Sequence, residues 1–81
     1  MTAYEKVEVQ AYAGYSGEES PRAFRLSGKK VEVMKIMTQW IEEQVGSRER
    51  LRCFRVKGSD WRVHVLCFDV VKMEWYYKKS I

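Results

Sequence analysis

The run Val31-Glu32-Val33-Met34-Lys35-Ile36-Met37-Thr38-Gln39-Trp40-Ile41 decides the fold, and it fits two periods at once. Val33, Ile36, Met37, Trp40 and Ile41 recur at helical spacing. Met34, Ile36 and Trp40 share one face of a strand, with Thr38 between them. Val31 and Val33 are β-branched and flank Glu32 in strict alternation, so the chain has entered a sheet before the ambiguous part begins. We therefore read a long strand with a bulge near Lys35. A short helix over 33–41 is the alternative.

Upstream, Ser27-Gly28-Lys29-Lys30 reads as a hairpin turn, because glycine adopts positive φ at little cost. Residues 22–26 before it form a short strand with Phe24 and Leu26 on one face. Residues 7–13 alternate as Val-Glu-Val-Gln-Ala-Tyr-Ala and make the first strand. The stretch 14–21 between them holds two glycines, two serines and the only proline, and reads as a loop.

Downstream, residues 42–50 are polar and read as an exposed loop. Residues 51–57 alternate, with Leu51, Cys53 and Arg55 on one side and Arg52, Phe54 and Val56 on the other. Gly58-Ser59-Asp60 is a turn. Residues 61–69 form a strand that is apolar on both faces, which marks a central strand or one lining a small barrel. Residues 70–73 turn again, and residues 74–78 close the pattern with Trp75 and Tyr77 aligned. The expected fold class is all-β, or mainly β with at most one short helix. Its architecture is an antiparallel meander of about six strands, curled into a small, partly open barrel. The predicted core is Val9, Phe24, Leu26, Val33, Ile36, Trp40, Phe54, Val56, Leu66 and Trp75.

The chain has 81 residues, 46% of them apolar, enough for one globular domain over 1–81 and too rich for disorder. Three Trp, five Tyr and three Phe supply an aromatic core that so small a fold needs. No apolar run reaches the ~18 residues of a membrane span, and the first residues lack the apolar stretch of a signal peptide. Only Cys53 and Cys67 occur, fewer than a small secreted domain usually carries, so a reducing cytoplasmic setting is expected. A hairpin centred on Gly58-Ser59-Asp60 pairs positions summing near 120, which sets Cys53 almost opposite Cys67. In the cytosol they are expected as two reduced core residues. Neither a chelator nor a reductant is then expected to change the melting temperature.

The formal net charge is +4 and is unevenly spread. Residues 21–35 set five basic side chains against Glu32, and residues 50–62 set five against Asp60. The intervening and N-terminal stretches are acidic. Two basic blocks merge into one patch only if their strands lie side by side.

Recognisable catalytic patterns are missing. The one histidine, His64, sits mid-strand between valines, as a structural residue does. No serine, cysteine and histidine spacing builds a nucleophile site, and a single histidine makes no metal cluster. Gly14 and Gly17 lack the Lys-Ser/Thr of a phosphate loop, and Glu18 and Glu19 beside them repel phosphate. Glu42 and Glu43 read as exposed loop carboxylates. The expectation is a non-enzymatic protein with no cofactor and no metal. The informative feature is basic–aromatic interleaving: Arg52, Arg55, Lys57 and Arg62 flank one hairpin, and Tyr76 and Lys78 close the chain. Sheet-based binders of single-stranded nucleic acid combine cations for phosphates with rings for bases. The expected partner is nucleic acid or an acidic protein, with no membrane. The alternative is a protein–protein adaptor using loop 14–21 and exposed strand edges.

The run Pro21-Arg22-Ala23-Phe24-Arg25-Leu26-Ser27-Gly28-Lys29-Lys30-Val31-Glu32-Val33, then Ile36 and Trp40, then Arg52-Cys53-Phe54-Arg55-Val56 and Trp75, resembles a family of small bacterial proteins. That family shows Pro-Arg-x-Phe, a glycine hairpin, an apolar strand ending in Trp, a Phe-x-Val strand and a final Trp strand. The resemblance covers roughly 7–77 and rests on core and turn residues. It implies an all-β domain and brings no catalytic residues. Cys53 and Cys67 depart from it, standing where bulkier residues are commoner.

Overall fold

The computed structural model describes residues 2–13, 19–43 and 50–80. Seven strands run in order: β1 Thr2–Lys6, β2 Val9–Ala13, β3 Glu19–Leu26, β4 Lys29–Glu43, β5 Arg50–Gly58, β6 Val63–Asp69 and β7 Glu74–Ser80. All neighbouring pairs are antiparallel, in the order β1-β7-β6-β5-β4-β3-β2. The fold is all-β, and no helix occurs among the described residues.

The extra strand comes from the N-terminal segment. β1 pairs with β7 at one edge, β2 pairs with β3 at the other, and only Val7 and Glu8 lie between them. Val7 N–H donates to the Trp75 carbonyl (3.1 Å), and Glu8 C=O accepts from Arg25 N–H (3.0 Å). One short segment thus links the two ends of the sheet and curls it into a half-barrel.

β4 resolves the ambiguity of its sequence. It is a strand of 15 residues, with register shifts between Val33 and Lys35 and between Ile36 and Thr38. Each bulge puts two residues against one and re-aims the strand beyond it. The helix-like spacing of Val33 and Ile36 is the trace of those bulges. Both side chains pack on the core, while Met34 and Met37 are exposed. Beyond the second bulge Gln39 stands opposite Phe54 and Trp40 opposite Cys53, so Trp40 has moved to the other face of the sheet.

The core joins Phe24 and Val31 to Phe54, Val56, Leu66, Phe68 and Trp75. Val9, Leu26, Val33 and Ile36 pack against it partly buried, as expected. Trp40 does not belong to it. It packs, half-buried, on a second cluster of Leu51, Cys53 and Cys67 with Tyr4 and Val65. β5 and β6 are apolar on both faces because they serve both clusters.

Other boundaries differ from the sequence reading. Positions 14–18 of the expected loop 14–21 lie outside the described residues, as do 44–49. Ser20 and Pro21 belong to β3, where Pro21 is buried beside the residue, Arg22, that β3 inserts at the step from Gln10 to Ala11. A bulge is one of the few sheet positions that tolerates a residue without an N–H. Glu42 and Glu43 extend β4 rather than forming a loop. The turn after β6 is closed by buried Asp69, whose Oδ1 accepts from Val71 N–H (3.0 Å) and Lys72 N–H (3.1 Å).

Gly58 ends β5 where β4 crosses close. A Cβ there would lie 2.6 Å from Val31 Cγ1 and 2.7 Å from Asp60 Oδ1. Gly58→Ala is therefore expected to lower stability by about 1–3 kcal/mol through overpacking, seen as an earlier thermal melt. An unchanged melt would mean that Val31 and Asp60 can give way.

Candidate nucleic-acid interface

Alternation along β5 places Phe54 and Val56 in the core and sends Arg55 and Lys57 to the opposite face. Each cation stands over a ring. Lys57 Nζ is 5.4 Å from the centre of Trp61, and Arg55 Cζ is 6.0 Å from that of Trp40. On the same face Lys78 Nζ lies 5.9 Å from the Tyr4 ring centre. Lys57 is also directly opposite Lys35 of β4, so the two basic blocks meet at this pair. Like charges facing each other across a ladder are unfavourable. None of Lys35, Arg55, Lys57 and Arg62 forms an ion pair with a carboxylate among the described residues.

The hairpin tip is firmly held. Gly58 N–H donates to the Arg62 carbonyl (2.9 Å) and Trp61 N–H to the Gly58 carbonyl (3.0 Å). Ser59 is tied to β4 in both directions, its N–H donating to Glu32 C=O (2.8 Å) and its Oγ accepting from Glu32 N–H (3.0 Å). Asp60 Oδ1 accepts from Arg62 N–H (3.0 Å). This geometry puts Trp61 at φ 66°, with the residue 72% exposed. A bulky residue in the left-handed region is rare and costs energy, so something must over-determine it. The hydrogen bonds around the tip do so, and they present the ring to solvent.

His64 anchors the tip from below. It is buried, its Nε2 lies 2.9 Å from Asp60 Oδ2, and its Nδ1 lies 2.7 Å from the Tyr77 hydroxyl. A carboxylate only accepts, so Nε2–H donates to Asp60, and in the neutral ring Nδ1 accepts from Tyr77. Phe24 packs edge-on against the imidazole at 5.0 Å. Burial pushes the Asp60 carboxyl up, but the Arg62 N–H and His64 outweigh it and hold it below its ordinary value. Burial, followed by the Asp60 charge, raises the Tyr77 hydroxyl. Every polar atom of His64 is used structurally.

Of the six residues singled out in the sequence, Arg55, Lys57 and Arg62 gather at this hairpin. Tyr76 and Lys78 share the outward face but are engaged, Tyr76 O–H donating to Glu74 Oε2 (2.7 Å) and Lys78 Nζ to Glu42 Oε2 (2.7 Å). Arg52 lies on the opposite face of β5, between Ile41 and Phe68 in the register. Three participants escape sequence reasoning. Trp61 reads as a strand residue, Lys35 as a bulge position without a partner, and Glu42 as part of a loop.

Glu42 organises the far half of this face. Its Oε1 accepts from the Tyr4 hydroxyl (2.9 Å), and its Oε2 from Trp40 Nε1–H (3.0 Å) and Lys78 (2.7 Å). Burial pushes its carboxyl up, but the donors Lys78, Trp40 and Tyr4 more than offset this and hold it below its ordinary value. A depressed carboxylate contributes stability that is complete above its unfolded pKa and is lost as pH falls through the folded one. Stability measured by urea unfolding should therefore decline through and below the ordinary glutamate range. Glu42→Gln should lack that component. Superimposable curves would remove Glu42 from the acid limb.

Beneath Glu42, Cys53 and Cys67 are direct cross-strand partners, as the hairpin arithmetic required, with Cα atoms 4.1 Å apart. They are joined as a disulfide, not the two reduced core residues expected from cysteine usage. Composition spoke only to compartment, whereas register brings two buried sulfurs together. The sulfurs and the Glu42 carboxylate lie within 4.8 Å of one another. They do not fit a metal ion in this form: bonded sulfurs offer no thiolate, and both Glu42 oxygens already hold donors.

Comparison with protein-family models, curated proteins and solved structures found no match. Among the described residues no helix is long and apolar enough to cross a membrane.

Proposed function

We propose that the outward face of β4–β7 is a non-enzymatic binding surface for single-stranded nucleic acid. The observation that carries this reading is the uncompensated row Lys35, Lys57 and Arg55 beside the exposed ring of Trp61. Cations without carboxylates raise a local positive potential that draws phosphates, and an exposed ring offers a stacking platform to any base. Lys57 and Arg55 are two residues apart on β5, so their Cα atoms are spaced by about 6.8 Å along the strand. An acidic protein is the second partner that the same charges could attract, and the salt series together with Trp61→Ala separates the two.

Binding of a fluorescent oligopyrimidine, followed by anisotropy over a salt series, tests the proposal. Arg55→Ala with Lys57→Ala should weaken binding and flatten the slope of log affinity against log salt by about 0.7 for each lost phosphate contact. Trp61→Ala should cost about 1–3 kcal/mol of affinity without changing that slope. No binding by wild type at low salt, or equal binding by the double variant, would overturn the reading.

A further inference from the structure

β4 is paired on one side only for most of its length. β3 joins it through residues 29–32 alone, while β5 follows it from residue 33 to residue 43. Among the described residues nothing pairs with its other edge beyond Glu32. Such an edge is a template for another strand unless something blunts it. Lys35 and the two bulges blunt the first part, but residues 38–43 run in regular register with no proline, lysine or further bulge. The second bulge also gives this edge a symmetry. Lys35, Thr38, Trp40 and Glu42 stand opposite Lys57, Arg55, Cys53 and Leu51, alternate residues of β5, so all four lie on the outward face. Ile36, Gln39 and Ile41 stand opposite Val56, Phe54 and Arg52 and lie on the other face. Both rows match their own reverse about Gln39. With Met37 inserted on this edge as on the other, a second copy turned end for end sets Lys35 opposite Glu42 and Thr38 opposite Trp40. On the other face Ile36 meets Ile41, and Gln39 meets itself. Opposite charges and apolar side chains directly across a ladder attract. Centring the pair on Thr38 instead sets Lys35 opposite Trp40, and centring it on Trp40 sets Glu42 opposite Thr38, so the match of charges selects Gln39.

We propose that the free edge of β4 is a homodimer interface, in which β4 pairs antiparallel with β4 of a second copy about a two-fold axis at Gln39. The proposal goes beyond the nucleic-acid reading and does not rest on it. The pairing is isologous, and it closes at two copies because each edge is used once. It covers Ile41, 61% exposed in the single chain, and continues the outward face of one copy into that of the other. Lys35 then faces a carboxylate of the second copy, and Arg55, Lys57 and Trp61 remain as the open part of the cationic row. The contact from residue 35 to residue 43 is smaller than the roughly 20–30 residues a side of a standard interface. The dimer is therefore reversible, with an affinity in the micromolar range or weaker.

Sedimentation equilibrium of the full chain, at concentrations from about 1 μM to about 1 mM, should show a reversible monomer–dimer equilibrium. Ile41→Lys should raise the dissociation constant by more than about tenfold, because each dimer holds the Ile36–Ile41 pair twice. Its melt at dilutions where both proteins are monomeric should match wild type, since Ile41 is exposed. Lys35→Glu should also weaken the dimer by setting Glu against Glu42, although it relieves the repulsion from Lys57 within the single chain. Gln39→Cys locates the axis. It sets two thiols directly across the ladder, with Cα atoms inside the roughly 4.4–6.8 Å that a disulfide spans, so mild oxidation should link it into covalent dimers. Met34→Cys, exposed but near the far end of the pairing, should stay unlinked. A wild type that is monomeric throughout, a dimer that Ile41→Lys and Lys35→Glu leave intact, or cross-linking of Met34→Cys as readily as Gln39→Cys would overturn the inference. No oligonucleotide enters the experiment, so each of these outcomes leaves the nucleic-acid reading to its own test.

Discussion

Phe24→Ala is expected to cost about 3–5 kcal/mol, the largest effect of any single truncation, and to leave the protein largely unfolded near ambient temperature. A domain of this length has only about 4–12 kcal/mol in hand at roughly 0.05–0.15 kcal/mol per residue. Phe24 is 1% exposed. It pairs with Val9 on β2 and Val31 on β4, and packs its ring on His64 (5.0 Å) and Tyr77 (6.1 Å). It is thus the residue through which the β2–β3 pair grips the five strands opposite. Its loss opens a cavity and uncovers a buried imidazole together. Circular dichroism melts of this variant and of Trp40→Ala give the decisive contrast. Trp40 is only half-buried on the other face, so its truncation should cost clearly less. Equal losses would mean that the division into two clusters is wrong.

Reduction of the Cys53–Cys67 bridge is expected to lower stability by up to about 3 kcal/mol, the loop-closure value for about 15 residues. The two cysteines are 14 positions apart. For a domain this small, each kcal/mol corresponds to roughly 4–8 °C, so the midpoint should fall by up to about 12–24 °C. Calorimetry with and without reductant measures the shift, and Cys53→Ala/Cys67→Ala should melt like the reduced protein. The tight Gly58 hairpin already restrains the same loop, so the full value is an upper bound. An unchanged midpoint would restore the expectation drawn from composition alone.

Much of the architecture is legible in the chain because it rests on local rules. Alternation marks β3, β5 and β7, glycine marks the turn at Gly28, and the Gly58 turn fixes the register that sets Cys53 against Cys67. β4 is harder because a bulge counterfeits helical spacing, and only its committed start at Val31 and Val33 breaks the tie. The face change at Trp40 needs the second bulge, which no residue type announces. β1 escapes because Thr2–Lys6 is a strand only through its pairing with β7. The site divides the same way. Arg55, Lys57 and Arg62 cluster because a hairpin keeps neighbours together. The Glu42 assembly draws on positions 4, 40, 42, 53 and 78, which only the curl of the sheet unites.

The segment that touches both edges of the sheet also sets a timetable. Hairpins β3–β4, β5–β6 and β6–β7 join strands close in sequence and can form while the chain is still being made. β1 cannot, because Thr2 pairs with Ser80 and Lys6 with Tyr76. At roughly 5–20 residues per second, those partners leave the ribosome about 4–16 s after the segment that awaits them. β1, made long before its partner, is therefore the last of these strands to find its place, and until then an edge of β7 and the apolar face behind it stay open. Contacts of such long sequence separation slow the final step of folding. A chain ending at residue 73, held clear of the ribosome by a C-terminal linker, should accordingly hold its central hairpins yet remain sensitive to proteolysis along residues 2–8.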